Sequence, residues 1–452
     1  MNKENARWQA VQILLRVYQG SYTNLVLKNT LRQTADSRDR QLITLLVNGV
    51  LKNRETLDFA LRQHLRKPIS ALPAPVREIL RVTAYQILYL DRIPAAVAIN
   101  EGVELAKRQD FKFTGLVNSV LRRVMLQGWN LPWPDKEKQP VRYLSVRYSH
   151  PEWMVRRWWK RWGFSQTAEL CRLNNEPSPT WIRTNTLKIS REELVENLQG
   201  EGVKVELGAR VPESLLIQDF GALERLESYQ AGNFTAQDES SQLVAHILQP
   251  GSGQTVLDAC SAPGGKATHI AQLMGNRGQI LAYDIYPHKL ELVRKLAERL
   301  GIKIIQPVLG DARELPGVKT RSMHRVLVDA PCSGLGIIRR KADLRWQKQE
   351  TDIQVLAKLQ LQILEQAARC VVVGGELVYS TCTIEPEENF EVAKTFRLNH
   401  PEFEVLDITG TIPFMPLEEQ DLKPARKGML QLLTQRHGTD GFFLAKFRRR
   451  EV

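Results

Sequence analysis

Residues 255–266 read Thr-Val-Leu-Asp-Ala-Cys-Ser-Ala-Pro-Gly-Gly-Lys, a short apolar run followed by a glycine turn. The run fits a buried strand over 255–260, and the residues after the turn carry helical apolar spacing over 266–274. The same alternation continues downstream. Strand-like runs at 278–285 (GQILAYDI), 304–309 (IIQPVL), 325–330 (RVLVDA) and 375–381 (GELVYST) alternate with helical patterns at 287–300 and 350–370. That order predicts a doubly wound, mostly parallel sheet. Two later runs, 403–408 (FEVLDI) and 441–447 (GFFLAKF), are candidates to close its edge.

In such a sheet ligands bind above the carboxyl ends of the strands, where a glycine turn lets backbone N–H groups come close. The turn at Gly264 and Gly265 has neither the GxGxxG spacing of dinucleotide folds nor the GxxxxGK[ST] spacing of phosphate loops. The acids beyond it add information. Asp258 ends the first strand, and Asp284 ends the second, 20 residues after Gly264, where a carboxylate can accept from both hydroxyls of a ribose. Asp311 follows the third strand, placed to take adenine amino hydrogens. Asp329 ends the fourth. A single acid there can be a helix cap; acids at four successive strand ends point to an adenosine-type cofactor held without phosphate contacts. S-adenosylmethionine fits that better than NAD or ATP.

Two cysteines sit at the same edge. The fourth strand runs into Asp329-Ala-Pro-Cys332-Ser-Gly and the fifth into Ser380-Thr-Cys382-Thr. Paired thiols beside a methyl donor suit C5 of cytosine, a carbon too electron-poor to attack unaided. A thiolate adding to C6 makes C5 nucleophilic, and a second group then removes the C5 proton so that the thiol can leave. Asp329 can hydrogen-bond the N3/N4 edge of the ring, and the base must be unpaired or flipped to enter. Cys171, Cys260 and Cys370 read as packed thiols. No CxxC pair exists and no histidine joins a cysteine at zinc spacing, so neither a disulfide frame nor a structural metal is expected.

Outward from this half the composition changes. Residues 1–150 hold 24 Lys and Arg against 12 Asp and Glu, leaving 39 against 38 for the remainder of the 452 residues. A basic module for a polyanion joined to a nearly neutral part would look like this. Helical spacing marks 6–17, 40–51, 77–90, 96–106 and 115–126. A charged stretch with Pro132, Pro134 and Pro140 reads as a linker. Residues 151–162 (PEWMVRRWWKRW) form a tryptophan- and arginine-rich helix, suited either to stacking on RNA bases or to packing. A strand at 180–187, a helix at 190–200 and a strand at 203–207 make a small α/β unit. The expected domains are 1–130, helical; 140–235, small α/β; and 236–452, catalytic. Apolar runs such as 369–378 fall far short of the roughly 20 residues a membrane span needs. The opening MNKENARWQAVQ has no apolar core of a signal peptide, so a cytoplasmic location is expected.

The motifs DACSAPGGKATH (258–269), YDIYPHKL (283–290), GDARELP (310–316), DAPCSGLGIIRR (329–340) and YSTCTIEPEEN (379–389), together with TAQDESSQ (235–242), resemble the NOL/NOP/Sun family of RNA cytosine-C5 methyltransferases. The resemblance implies a Rossmann-like class I S-adenosylmethionine-dependent methyltransferase domain. It assigns Cys382 as nucleophile and Cys332 to product release. It also implies cofactor contacts from Cys260, Ser261, Ala262, Pro263, Gly264, Gly265 and Lys266, and from Asp284, Asp311 and Asp329. ILRVTAYQILYLDRIPAAVAINEGVELAKR (79–108) and GLVNSVLRR (115–123) are similar to the NusB-like helical domain of the Sun/RsmB branch. That branch implies a ferredoxin- or RRM-like RNA-binding unit between the two. Its implied substrate is 16S ribosomal RNA, at cytosine 967, free or in an assembling small subunit. A monomer without metal is expected. The same chemistry on transfer RNA or large-subunit RNA, and a dormant RNA-binding protein, are the competing readings. One departure stands out: where the branch carries His-Pro-Asp, this chain reads Lys341-Ala342-Asp343.

Overall fold

The computed structural model describes residues 5–451. The first four residues of the polar N-terminal stretch, and Val452 at the end of the last expected domain, lie outside them. The described residues form two compact units, one of 5–176 with 338–350 and one of 177–337 with 351–451.

The first unit is helical: α1 (Ala6–Tyr18), α2 (Thr23–Gln33), α3 (Ser37–Arg62), α4 (Ala74–Tyr89), α5 (Ala95–Gln109), α6 (Thr114–Gln127), α7 (Pro140–Tyr148) and α8 (Glu152–Leu173). Side chains cap the starts of α1 and α3, where Asn5 and Asp36 each accept from a backbone N–H two residues on. At the centre lies α4, buried on most of its faces through Val76, Ile79, Leu80, Val82, Ala84 and Leu88. It carries a buried charge, Arg81, paired at 2.6 Å with both Asp58 and Glu78. The helix expected over 40–51 runs on to Arg62, bending at Asn53, and α2 and α7 were not foreseen.

The proline-rich stretch is not a free linker. Trp133 stacks on Phe59 at 5.9 Å, Trp129 donates to the Leu88 carbonyl at 3.1 Å, and Leu131 is buried between them. In α8 the two readings divide by position. Trp158 is fully buried edge-on to His150, whereas Trp159 is 38% exposed beside exposed Arg156 and Lys160.

The second unit begins with a small sheet of β1 (Thr180–Thr184), β2 (Lys204–Leu207), β3 (Ser214–Gln218) and β4 (Phe234–Ala236) in the order β2-β3-β1-β4, every pair antiparallel. Helices α9 (Arg191–Gly200) and α10 (Glu227–Gln230) accompany it. Leu194 and Leu198 of α9 close a core with Ile182, Leu215, Ile217 and Phe234. A capping box between Ser190 and Glu193 starts α9.

The larger sheet follows α11 (Glu239–Leu248) and contains β5 (Thr255–Asp258), β6 (Gln279–Asp284), β7 (Ile305–Leu309), β8 (Met323–Asp329), β9 (Val371–Thr381), β10 (Phe403–Val405), β11 (Met429–Leu432) and β12 (Phe442–Arg449). Helices α12 (Gly265–Leu273) and α13 (Pro287–Leu300) connect its parallel strands. The order is β10-β12-β9-β8-β5-β6-β7, with β11 on β12. Strands β5 to β9 are parallel, and β12 adds antiparallel to β9. The sheet is therefore mixed, with both late runs at its antiparallel side. Because five strands point one way, Asp258, Asp284, Asp329 and Thr381 all end at one edge.

Between β8 and α15 (Glu350–Ala368) the chain leaves this unit. Residues 338–350, with the single turn α14 (Leu344–Gln347), belong to the helical unit. There Arg345 is fully buried, Asp343 accepts from the N–H and hydroxyl of Thr23, and Trp346 donates to the Leu51 carbonyl at 2.7 Å.

Candidate active site

The turn after β5 is pinned from both sides. Ser261 N donates to the Tyr283 carbonyl at 2.7 Å, and Gly264 N donates to the Ser261 carbonyl at 2.8 Å. Gly264 has φ +105°, and a Cβ there would stand 3.2 Å from the Val293 backbone, so only glycine fits. Arg183 of β1, fully buried, donates to the Gly265 carbonyl at 2.8 Å and to Thr268 and Gln272. Burial lowers this guanidinium to about 9, so it stays charged at neutral pH while it braces the start of α12.

The strand-end acids converge as the spacing requires. The Cys260 thiol is pushed well above the usual range by burial and then by the carboxylates of Asp258, Asp329, Asp284 and Asp311. All four thus act on one side chain. Asp258 is fully buried and its carboxyl rises to about 7, through burial first and Asp329 second. Asp284 accepts from Tyr286 N at 2.9 Å. Asp311 is gripped by the Arg313 guanidinium, with contacts down to 2.5 Å, a partner that the spacing alone did not suggest. Ser261 and Gly264 are buried, Ala262, Gly265 and Lys266 half-buried, and Pro263 exposed.

Asp329 is held by Lys266 Nζ at 2.7 Å and by the Ser380 hydroxyl at 2.8 Å. Ser380 escaped the sequence reading; its only signal was its place beside Cys382 at a strand end. Asp329 and Ser380 are direct neighbours in the β8–β9 register, so the loops carrying Cys332 and Cys382 leave adjacent strands together. Their Sγ atoms lie 3.3 Å apart, with both residues half-buried and neither in a disulfide. The Cys332 thiol is pushed well up by its hydrogen bond to Cys382, then by burial and by the charges of Cys382, Glu388 and Asp329. Burial would lower the Lys266 ammonium, but Asp329 and then Cys382 hold it above its ordinary value. The electrostatics are therefore unequal: Cys332 faces carboxylates, and the charge of Cys382 is felt by an ammonium. Cys171 and Cys370 are packed thiols, raised by burial to about 12 and about 11.

A second cluster braces the middle of α12. Glu213 accepts from His246 at 2.9 Å and from fully buried His269. These three groups offer ligand-type atoms within 4.8 Å of one another; Glu213 Oε1 is shared by the two imidazole Nε2 atoms, and the positive charge of Arg183 opposes protonation of His269. Burial, then Arg183, lower His269 to about 3. Burial would raise Glu213, yet the two imidazoles hold it well below the carboxylate range. A histidine that titrates near 6.5 unfolded and near 3 folded costs stability progressively as pH falls below 6.5. Asp258, raised when folded, works in the opposite direction. The sign is therefore read against His269→Gln: the wild-type margin over this variant should shrink by about 2 kcal/mol between pH 7 and 4.5. Thermal melts at matched pH measure it, and a margin independent of pH would show that His269 is not held neutral.

The fold and this sheet edge are those of a methyltransferase domain. Three family models match: the NusB family over residues 4–126, the ferredoxin-like domain of RsmF/B-like methyltransferases over 150–224, and 16S rRNA methyltransferase RsmB/F over 245–448. Probable ribosomal RNA small subunit methyltransferase B of Bacillus subtilis is 40% identical over the full length of both chains. Its counterpart in Synechocystis is 37% identical over 95% of this chain and 96% of its own. The crystal structure of PH0851 superposes with TM-score 0.81 at 27% identity, covering 98% of this chain and 99% of that one. The chain belongs to the ribosomal RNA small subunit methyltransferase B family, a family of S-adenosylmethionine-dependent ribosomal RNA methyltransferases. Its helical unit contains a NusB-like domain, and its small sheet is ferredoxin-like. Among the described residues no helix is long and apolar enough to cross a membrane.

Proposed function

We propose that the chain transfers a methyl group from S-adenosylmethionine to C5 of a cytosine in 16S ribosomal RNA, with cytosine 967 as the position. The thiol pair 3.3 Å apart beside Lys266 and Asp329 carries this reading. S-adenosylmethionine, when bound, supplies an electrophilic methyl group. The glycine turn from Cys260 to Lys266 would hold it with Asp284, Asp311 and Asp329; the Gly264 cradle and the four carboxylates around Cys260 suit a polar, phosphate-free cofactor.

Cys382, as the thiolate, adds to C6 of the cytosine, and C5 then takes the methyl group. The C5 proton leaves to a base, the C6–S bond breaks, and Cys382 returns as the thiolate. The Lys266 ammonium favours the ionised state of Cys382. Asp329, steadied by Lys266 and Ser380, hydrogen-bonds the N3/N4 edge. Cys332 serves product release. Residues 1–130 and 140–235 contact RNA, and 236–452 hold the catalytic centre. The basic balance of residues 1–150 supports the first of these assignments. The enzyme acts as a cytoplasmic monomer on free RNA or an assembling small subunit.

Incubation with labelled cofactor and unmodified 16S RNA, followed by bisulfite mapping, should give one protected cytosine, at position 967. Labelling of transfer RNA or large-subunit RNA alone would move the substrate. No transfer to any RNA would leave a dormant binder.

A further inference from the structure

The residues on either side of both thiols are tied to one buried turn. Glu388, fully buried, accepts at Oε1 from Ser333 N at 2.8 Å and from Gln360 Nε2 at 2.9 Å. Its Oε2 accepts from the Ser333 hydroxyl. Ser333 Oγ lies 2.8 Å from Thr383 Oγ1, which joins the residue after Cys332 to the residue after Cys382. Gln360 also donates to the Pro331 carbonyl at 3.0 Å, so both neighbours of Cys332 hang on this one carboxylate and its amide partner. Asn389, next along, serves Cys382: it accepts from Thr381 Oγ1 at 2.5 Å and donates to the Thr383 carbonyl at 3.0 Å. Tyr379 donates to the Glu388 carbonyl at 2.5 Å and fixes the turn itself.

A carboxylate buried in this way is costly unless donors surround it. Burial raises the Glu388 carboxyl, and its hydrogen bonds from Ser333 and Gln360 oppose the rise. Its charge adds to the upward push on the Cys332 thiol, and its hydrogen bonds set where the neighbours of that thiol sit. Without it the Ser333 N–H is orphaned, and the 331–333 loop loses the contact that sets its distance from the loop of Cys382.

We propose that Glu388 is a positioning residue that sets Cys332 against Cys382 through Ser333 and Gln360, so that product release depends on it more than attack does. The inference rests on the roles proposed above, Cys382 attacking and Cys332 releasing. Misplacement by about 1 Å can cost on the order of 100-fold in rate. Glu388→Ala is therefore expected to lower turnover about 100-fold and to accumulate a protein–RNA adduct that survives denaturing electrophoresis, with cofactor affinity changed less than about threefold. Glu388→Gln keeps one acceptor for Ser333 N and Gln360, and its amide can donate to Ser333 Oγ while that hydroxyl turns to Thr383. It should recover most of the rate and lose the adduct. Ser333→Ala removes only the hydroxyl link and should accumulate adduct at a lower level, which tests the link if Glu388→Ala does not fold.

Cys332→Ala is run alongside with the same RNA. If it traps no adduct, the two-thiol reading fails. If it traps adduct while folded Glu388→Ala and Ser333→Ala do not, the positioning role of Glu388 fails alone. Equal losses in Glu388→Gln and Glu388→Ala, tracking a fall in melting temperature, would also overturn it.

Discussion

Cys382→Ala is expected to transfer no methyl group to ribosomal RNA, a loss on the order of 10⁴-fold or more, while still binding cofactor. The charge of Cys382 raises the Lys266 ammonium, and by reciprocity Lys266 favours that charge. Cys332 does not replace Cys382. Its thiol is pushed up by the Cys382 hydrogen bond, burial and carboxylates, so little of it is ionised at neutral pH. Cys332→Ala leaves the attack possible and removes the group 3.3 Å from the attacking sulfur, so the covalent adduct should outlive the reaction and run as a shifted band under denaturing conditions. Single-turnover transfer with labelled cofactor separates the two variants: none for Cys382→Ala, near-stoichiometric transfer retained on protein for Cys332→Ala. Activity of Cys382→Ala within tenfold of wild type would pass the nucleophile's role to Cys332 and reverse the assignment.

Most of that site was legible in the chain because its logic is local. A strand, a sharp turn and a helix lie within twenty residues, and parallel strands bring their ends to one edge whatever lies between them. Asp258, Asp284, Asp329, Cys332 and Cys382 follow from this directly. What escaped was set by turn conformation or by contacts distant in sequence. The Arg313 grip on Asp311 is two residues away but depends on a turn conformation. Glu388 sits in Glu-Pro-Glu-Glu-Asn, a run that looks solvated, yet its carboxylate meets Ser333, 55 positions earlier. The proline-rich stretch had a linker's composition; Trp129 and Trp133 find their partners, Leu88 and Phe59, 41 and more positions back. For α2, TNLVLKNTLRQ buries only Thr23, Val26 and Leu27, too few apolar positions to display a period. The Lys341-Ala342 departure fell in a loop by sequence, whereas the structure buries Ala342 in the helical core and leaves Lys341 exposed.

That placement makes Arg345 the residue with the largest effect on the helical unit. Its guanidinium donates to the carbonyls of Lys52 at 2.9 Å, Ser149 at 3.0 Å and Asn174 at 2.8 Å. Helix geometry leaves the carbonyls of Ser149 and Asn174, at helix ends, without an intrahelical partner. Lys52 precedes Asn53, where α3 bends, and Ser149 and Asn174 are the caps that end α7 and α8. Helix ends that present bare carbonyls favour a cation, which is how a charge with no carboxylate among these contacts is tolerated in the core. Burial lowers Arg345 only to about 9, so it is charged at neutral pH. Arg345→Ala removes the cation, takes the donor from the buried carbonyls of Ser149 and Asn174 and from the part-buried one of Lys52, and opens a cavity, at a cost of about 3–5 kcal/mol. In a unit of this size that is a fall of roughly 10 °C in melting temperature. Arg345→Lys restores the charge without the fork and should recover less than half of the loss. Asp343→Ala, which frees only the Thr23 N–H and hydroxyl at the start of α2, should cost about 1 kcal/mol. Hydrogen exchange locates the effect: protection should drop in α3, α7 and α8 of Arg345→Ala and remain in β5 to β9. An unchanged melt, or loss of protection in the parallel strands first, would mean that residues 338–350 only rest on the helical unit and do not hold it together.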